Sequence, residues 1–182
     1  PQKFASIVPM SVSGILLGSC VGALQAAILK RKLFGLRIWQ WILASIAAIY
    51  LGLLGGVIVW STVIAVFPTA IRFSWLGSSI FGAMLGMSVG LGQVLVLVRR
   101  VRGLRRWWLA NVVGRSLGWL AADEMRQLLS NRQGFLLADS LIGTVTMALL
   151  YGCTIGLVYG SVTALALPSL TPRQRSTVDD PA

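Results

Sequence analysis

Glycine at every fourth position of long apolar segments is the feature that most restricts how this chain folds. In the segment 82–93, the glycines Gly82, Gly86 and Gly90 fall on one helical face, because every fourth residue returns to nearly the same side. In water each of these glycines would cost a helix about 1 kcal/mol relative to alanine. In a bilayer the same face lets a second helix approach closely. The spacing recurs in two further apolar segments, so the full set of predicted helix-packing glycines is Gly14, Gly18, Gly22, Gly82, Gly86, Gly90, Gly152, Gly156 and Gly160.

The composition indicates that these segments lie in a membrane. Hydrophobic residues make up 56% of the 182 residues, charged residues 12%, and the mean hydropathy is +0.80. A soluble domain averages about 25% charged residues. We therefore predict an all-α fold, namely a polytopic membrane helical bundle.

The apolar segments predict about five transmembrane helices, with four as the alternative. The predicted spans are 7–29, 38–67, 76–98, 107–122 and 135–167. The fourth span is the least apolar, because it contains Asn111 and Arg115, and four spans result if it is only interfacial or re-entrant. A polar stretch, 123–133, follows it and is expected to continue as an amphipathic surface helix. Residues 1–168 then form the transmembrane domain, and 169–182 form a polar, disordered cytoplasmic tail.

Basic residues concentrate in two loops on the same side of this alternating path. The formal net charge is +11, and the loop residues are Lys30, Arg31, Lys32, Arg37, Arg99, Arg100, Arg102, Arg105 and Arg106. Basic loops between apolar spans are typical of cytoplasmic loops that contact anionic lipid headgroups, so no nucleic-acid partner is expected. The amino terminus is predicted outside and the carboxyl terminus in the cytoplasm, in a bacterial inner (plasma) membrane or a thylakoid.

The chain contains an internal repeat. A shift of 68 residues pairs Gly14, Gly18, Gly22 and Gln25 with Gly82, Gly86, Gly90 and Gln93, and it pairs Trp39 with Trp107. Each unit is predicted to be a helical hairpin made of a glycine-bearing helix, a basic turn and a tryptophan-led helix. The units are 7–67, 76–133 and a partial third unit, 135–167, in which Thr163 or a neighbour stands where glutamine is expected.

The second unit carries a recognisable combination of residues. It consists of Gly86, Gly90, Gln93, Arg99, Arg100, Trp108, Asn111, Gly114, Gly118 and Trp119. This pattern resembles a group of uncharacterised multi-pass bacterial membrane proteins of cyanobacterial type. The resemblance implies a membrane repeat module and carries no catalytic residues to transfer.

Two glutamines lie near the basic ends of their helices. Gln25 and Gln93 each follow the last glycine of a packing face by three residues. We expect them to form interhelical hydrogen bonds. The alternative is a polar lining or a ligand to the magnesium of a pigment. Because histidine is absent, no cofactor is predicted, while a pigment or a lipid stays open.

A polar cluster marks the point where the second unit departs from the first. Asn111 and Arg115 share one face of the fourth span, and an arginine inside a span requires a partner or water. Asp139 is the expected partner, with Asp123 and Glu124 as competitors. One interpretation is an ion pair that fixes helix register, and the other is a path for a substrate or a proton.

The sequence contains no pattern that indicates catalysis. It has no P-loop, zinc-ligand spacing, nucleophile elbow or paired intramembrane carboxylates, so the chain is predicted not to be an enzyme. The expected function is that of a structural or accessory subunit that packs against a larger membrane complex. The alternative is a small oligomeric transporter or channel that uses the polar cluster. Expected partners are lipids, other membrane subunits or further copies of the chain.

Overall fold

The chain is described by a computed structural model that covers residues 25, 27, 29, 38–133 and 141–172. Within them the chain forms four long helices, which are α1 (Ile38–Val66), α2 (Ser74–Leu97), α3 (Leu104–Gln133) and α4 (Leu141–Ala166). Short 3-10 turns, Pro68–Arg72 and Leu167–Ser169, follow α1 and α4. Residues 25, 27 and 29 are helical as well, whereas the remainder of the predicted first span lies outside the described residues. The predicted helical fold class is confirmed.

Three of the described helices are long and apolar enough to cross a membrane. They are α1, α2 and the stretch Val145–Ser169, which includes most of α4. Their length and composition indicate an integral membrane protein. The 29 residues of α1 extend over about 43 Å, which exceeds a hydrocarbon core of about 30 Å.

The helix α3 differs from these three because its composition is much less apolar. It joins the predicted fourth span and the predicted surface stretch into one helix of 30 residues without a break. Arginines lie in its first turn and an acidic and basic segment follows Ala122, so it is not among the helices that qualify as spans. The number of five spans therefore stays a prediction.

The glycines of α2 lie directly against the backbone of α3. A Cβ atom added to Gly82 would lie 2.7 Å from Ser116 Cα, and one added to Gly86 would lie 2.5 Å from Asn111 O. At Gly90 the nearest atom is Trp108 Cδ1, at 2.9 Å. A methyl group has no room at these distances, so the three glycines set the separation of the two helices.

The other predicted packing glycines have different surroundings. Gly14, Gly18 and Gly22 lie outside the described residues, and Gly152 and Gly156 are partly buried in α4. At Gly160 an added Cβ would meet no atom of the described chain within 4 Å. Gly160 therefore faces open space in this structure and packs against no described helix.

Glycines other than the predicted packing glycines bring the remaining helices together. A Cβ added to Gly52 of α1 would lie 2.8 Å from Leu85 Cα in α2. Between α3 and α4, a Cβ added to Gly118 would lie 3.1 Å from Ile155 O. A Cβ added to Gly114 would lie 3.2 Å from Tyr159 Cδ2. The four helices are thus packed in the order α1, α2, α3, α4, with close backbone contact at each step.

A two-stranded ribbon joins the basic turn to the segment after α4. Strand β1 (Val101–Arg102) pairs antiparallel with strand β2 (Thr171–Pro172). The apolar core beneath the ribbon consists of Leu29, Trp41, Leu97, Val101, Trp107 and Leu170. Within the predicted tail 169–182, Leu170 is buried in this core and Thr171 pairs with Arg102 of β1, while residues 173–182 lie outside the described residues.

We expect Gly103→Ala to release this segment. Gly103 has φ +83°, which alanine adopts at a cost of about 1–2 kcal/mol, and its added Cβ would collide with Ser169 O. Hydrogen exchange at the Thr171 amide should therefore become faster, while exchange in the middle of α2 stays unchanged. Unaltered protection of Thr171 would show that the ribbon does not depend on this turn.

Candidate functional site

Buried polar side chains from four helices are joined in a closed chain of hydrogen bonds near the ribbon. We call this chain the polar ring, and its members are Gln25, Gln93, Trp107, Asn111, Tyr159 and Thr163. Five of the six are buried, and Gln25 is partly buried.

Gln93 is the member with the most connections. Its Oε1 accepts a hydrogen bond from Trp107 Nε1 at 3.0 Å. Its Nε2 donates to Gln25 Oε1 and to Ser45 Oγ of α1, both at 3.4 Å. The amide is therefore satisfied in a site that leaves only 1% of the residue exposed, as a buried polar group requires.

The other half of the ring runs through α3 and α4. Asn111 Nδ2 donates to Trp107 O at 2.9 Å, and Tyr159 OH donates to Asn111 Oδ1 at 2.6 Å. Thr163 Oγ1 donates a hydrogen bond to the backbone carbonyl of Tyr159 at 2.9 Å. The same hydroxyl accepts a hydrogen bond from Gln25 Nε2 at 3.4 Å, which closes the ring.

The chemistry of the ring is that of fixed, neutral dipoles. Its members are amides, hydroxyls and an indole, and their side-chain groups are already paired with one another or with backbone carbonyls. In the part of the chain that the structure describes, no group of three His, Cys, Asp or Glu residues is placed to hold a metal ion. Such a ring fixes the heights of the helices relative to each other, because a slide of one helix would leave several buried groups unpaired.

The structure brings together residues that the sequence singled out separately. Gln25 and Gln93 are hydrogen-bonded to each other although 68 residues separate them, and Thr163 completes the contact. Sequence reasoning missed Trp107, Tyr159 and Ser45 as polar partners. The available signal was that Tyr159 precedes Thr163 by four residues and therefore shares its helical face.

Arg115 lies beside the ring without belonging to it. Its guanidinium carbon is 4.5 Å from the centre of the Tyr159 ring, which is a cation–π geometry. Its Nε is buried and has no hydrogen-bond partner among the described residues. The expected partner Asp139 lies outside the described residues.

Asp123, a predicted competitor for Arg115, is engaged elsewhere. Its carboxylate accepts a hydrogen bond from Arg126 Nη2 at 2.8 Å and one from Gln127 Nε2 at 3.1 Å. Burial raises the pKa of Asp123, but the hydrogen bonds from Arg126, Ser74 and Gln127 together lower it by more. The pKa of Asp123 therefore lies below its usual range. This ion pair joins residues three apart on α3, so it stabilises the polar end of that helix rather than Arg115.

A groove runs along the outer surface between α1 and α2. Its volume is about 640 Å³, and its lining includes small residues that we call its floor, namely Ala44, Ala47, Ala48, Ser88 and Gly92. Leu51, Leu91, Leu95 and Val96 form its walls, and Gln40 lies at one end. The groove is apolar and widely open to the surroundings, unlike the sealed polar ring.

The fold and these sites define an integral membrane helical bundle with a sealed polar interior and an apolar, grooved exterior. Comparisons with protein-family models, with curated proteins and with solved structures give no match to this chain.

Tyr159→Phe removes the shortest hydrogen bond of the ring. Loss of the hydroxyl leaves Asn111 Oδ1 unpaired in a buried site, so we expect the free energy of unfolding to fall by about 1–2 kcal/mol. The phenylalanine keeps the aromatic ring that Arg115 contacts, so this substitution removes the hydroxyl alone. The matched control is Tyr50→Phe, because Tyr50 is exposed on α1 and its loss of a hydroxyl should change nothing. Equal stability of both variants in a detergent unfolding titration would contradict the importance of this hydrogen bond.

Proposed function

We propose that this protein is a non-catalytic subunit that packs against a larger membrane complex. The observation that carries the proposal is the contrast between a polar interior whose hydrogen bonds are closed and an apolar exterior that carries the α1–α2 groove. The polar ring itself offers no free group to bind a substrate, because its side chains are paired with one another or with backbone carbonyls. A floor of small residues, in contrast, lets the backbone of another helix approach closely.

The occupant that we propose for the groove is a transmembrane helix of a partner protein. A packed helix gains close van der Waals contact along a narrow floor of alanine, serine and glycine, and lipid chains gain less because they must lose their freedom to fit it. Gln40 at one end supplies a hydrogen-bonding group for such a helix.

The proposed topology has five spans, in which the described helices follow the first predicted span. The glycine-bearing hairpin repeats are arranged side by side, with the basic turns in the cytoplasm against anionic headgroups. The pairing of β1 with β2 supports this arrangement, since it holds the basic turn and the segment after α4 at the same end of the bundle.

The proposal is tested by filling the groove. Ala47→Trp places a large side chain on the groove floor at an exposed position, and Val57→Trp places the same side chain on α1 outside the groove. In native membranes solubilised with a mild detergent, the wild type and Val57→Trp should migrate with a larger assembly. Ala47→Trp should migrate as the free protein with unchanged stability. Retention of Ala47→Trp in the assembly, or a wild type that migrates alone, would contradict the proposal.

A transporter or channel is the second candidate, and one observation favours it. Arg115 holds a buried Nε without a partner in the described chain, next to a tyrosine and an asparagine. A cationic group of this kind is suited to a small anion. Anion flux into liposomes that contain the purified protein, and its loss in Arg115→Gln, would support this candidate over the subunit function.

A further inference from the structure

One face of α4 is uncovered, in contrast to the corresponding face of α2. Of the most apolar 18-residue window, 39% is buried in α2 and only 6% in the α4 segment. The uncovered face carries Leu149, Cys153, Leu157 and Ala164, all exposed, with Gly160 between them.

The repeat shows what normally covers this face. A shift of 70 residues places Gly90 of α2 on Gly160 of α4, and Met87 on Leu157. In α2, Gly90 contacts Trp108 of α3 and Met87 is partly buried, with its carbonyl oxygen accepting a hydrogen bond from Trp108 Nε1 at 3.2 Å. In α4, an added Cβ at Gly160 meets nothing within 4 Å among the described residues, and Leu157 is 72% exposed. Among the described residues, no helix therefore takes at Gly160 and Leu157 the position that α3 takes on α2 at Gly90 and Met87.

We infer that α4 of a second copy of this chain takes this position, so that two copies form a symmetric dimer in the membrane through their α4 faces. This inference goes beyond the proposed function, because it concerns a different face of the molecule and a different partner.

Three properties of α4 favour a second copy over another occupant. A twofold axis places each uncovered face against the other, so one contact covers both. The helix contains no Asp, Glu, Lys or Arg, so no like charges meet across the axis. Two copies inserted with the same orientation present parallel helices. Leu149, Cys153, Gly160 and Ala164 form a seam along one helical face, in which the three small residues allow close approach.

Cys153 lies on this seam as a free, exposed thiol and is a direct probe. In a Cys20→Ser background it becomes the sole thiol, and mild oxidation of intact membranes should yield a disulfide-linked species at twice the 19.5 kDa monomer mass. The matched control is Cys20→Ser, Cys153→Ser, Leu54→Cys, which moves the thiol to an exposed position of α1. This control should give no linked species under the same conditions.

Gly160→Leu tests the same contact without a thiol. An added Cβ at Gly160 meets no described atom within 4 Å, so the fold should be retained, but the leucine would collide with its counterpart across the axis. The crosslink through Cys153 should fall at least about tenfold, as a loss of roughly 1.4 kcal/mol in association implies. Ala65→Leu, an exposed change near the end of α1, should leave the crosslink intact.

Reactivity of Cys153 with a membrane-permeant maleimide in the same membranes separates the outcomes. A linked dimer that Gly160→Leu abolishes supports the inference. A reactive thiol without a dimer shows that lipid covers the face, and a protected thiol without a dimer shows that a different protein covers it. Either of these two results overturns the inference and leaves the groove experiment on α1 unaffected.

Discussion

Replacing Gly86 with alanine is expected to lower the free energy of unfolding by about 2–3 kcal/mol. The added methyl group would lie 2.5 Å from Asn111 O and 2.6 Å from Val112 Cα. Both are backbone atoms of α3, so no side-chain rotation relieves the contact and the helices must separate. Separation also displaces Asn111 from the polar ring, which increases the loss. The effect exceeds the gain in helix propensity of about 1 kcal/mol that alanine brings over glycine.

The matched control for Gly86→Ala is Gly160→Ala, measured in detergent at a dilution that keeps the chain monomeric. The same methyl group is added to another of the predicted packing glycines, on a different helix, but there the added Cβ meets no described atom within 4 Å. Its stability should be unchanged or higher by up to about 1 kcal/mol. Similar losses at both sites would mean that helix spacing is not set by the Gly86 contact.

Gln93→Leu is expected to lower the free energy of unfolding by about 3 kcal/mol. The substitution keeps a side chain of similar volume, so the main change is the loss of the amide at the centre of the polar ring. Trp107 Nε1 then has no acceptor while its residue stays 1% exposed. Gln25 and Ser45 each lose a partner as well. A steric-trapping or denaturant titration of the bundle in detergent measures this loss.

Gln40→Leu serves as the control for Gln93→Leu. Gln40 lies at the end of the open groove on α1, where its amide is partly exposed, so its replacement should change the stability by less than about 0.5 kcal/mol. If both glutamine substitutions cost the same, burial and hydrogen bonding at Gln93 would not account for its effect.

The glycine faces and the two glutamines could be anticipated from the sequence because both follow from local periodicity. A spacing of four residues fixes Gly82, Gly86 and Gly90 on one helical face whatever the rest of the fold does. The position of Gln93 three residues after Gly90 placed it at a helix contact, and the structure adds Trp107, Ser45 and Gln25 as its partners.

The remaining features depend on contacts between distant segments, which periodicity does not report. Tyr159 reads as an ordinary apolar helix residue until α4 is placed against α3, where its hydroxyl meets Asn111. The ribbon between Val101–Arg102 and Thr171–Pro172 joins two short polar segments about 70 residues apart, and neither has a strand pattern of its own. The hydrogen bond from Gln127 Nε2 to Ser74 Oγ joins α3 to the start of α2 across 53 residues of sequence, and no local pattern indicates it.

A double-mutant cycle between Gln93→Leu and Tyr159→Phe tests most directly whether the polar ring acts as one structural unit. The two side chains do not contact each other. They are linked through Trp107 and Asn111, and the backbone carbonyl of Tyr159 is linked to Gln93 through Thr163 and Gln25. If the ring is one unit, the first substitution already relaxes it, and the double variant should lose at least about 0.5 kcal/mol less than the sum of the single losses. Strictly additive losses would show that the hydrogen bonds act independently and would contradict the ring as the element that fixes the bundle.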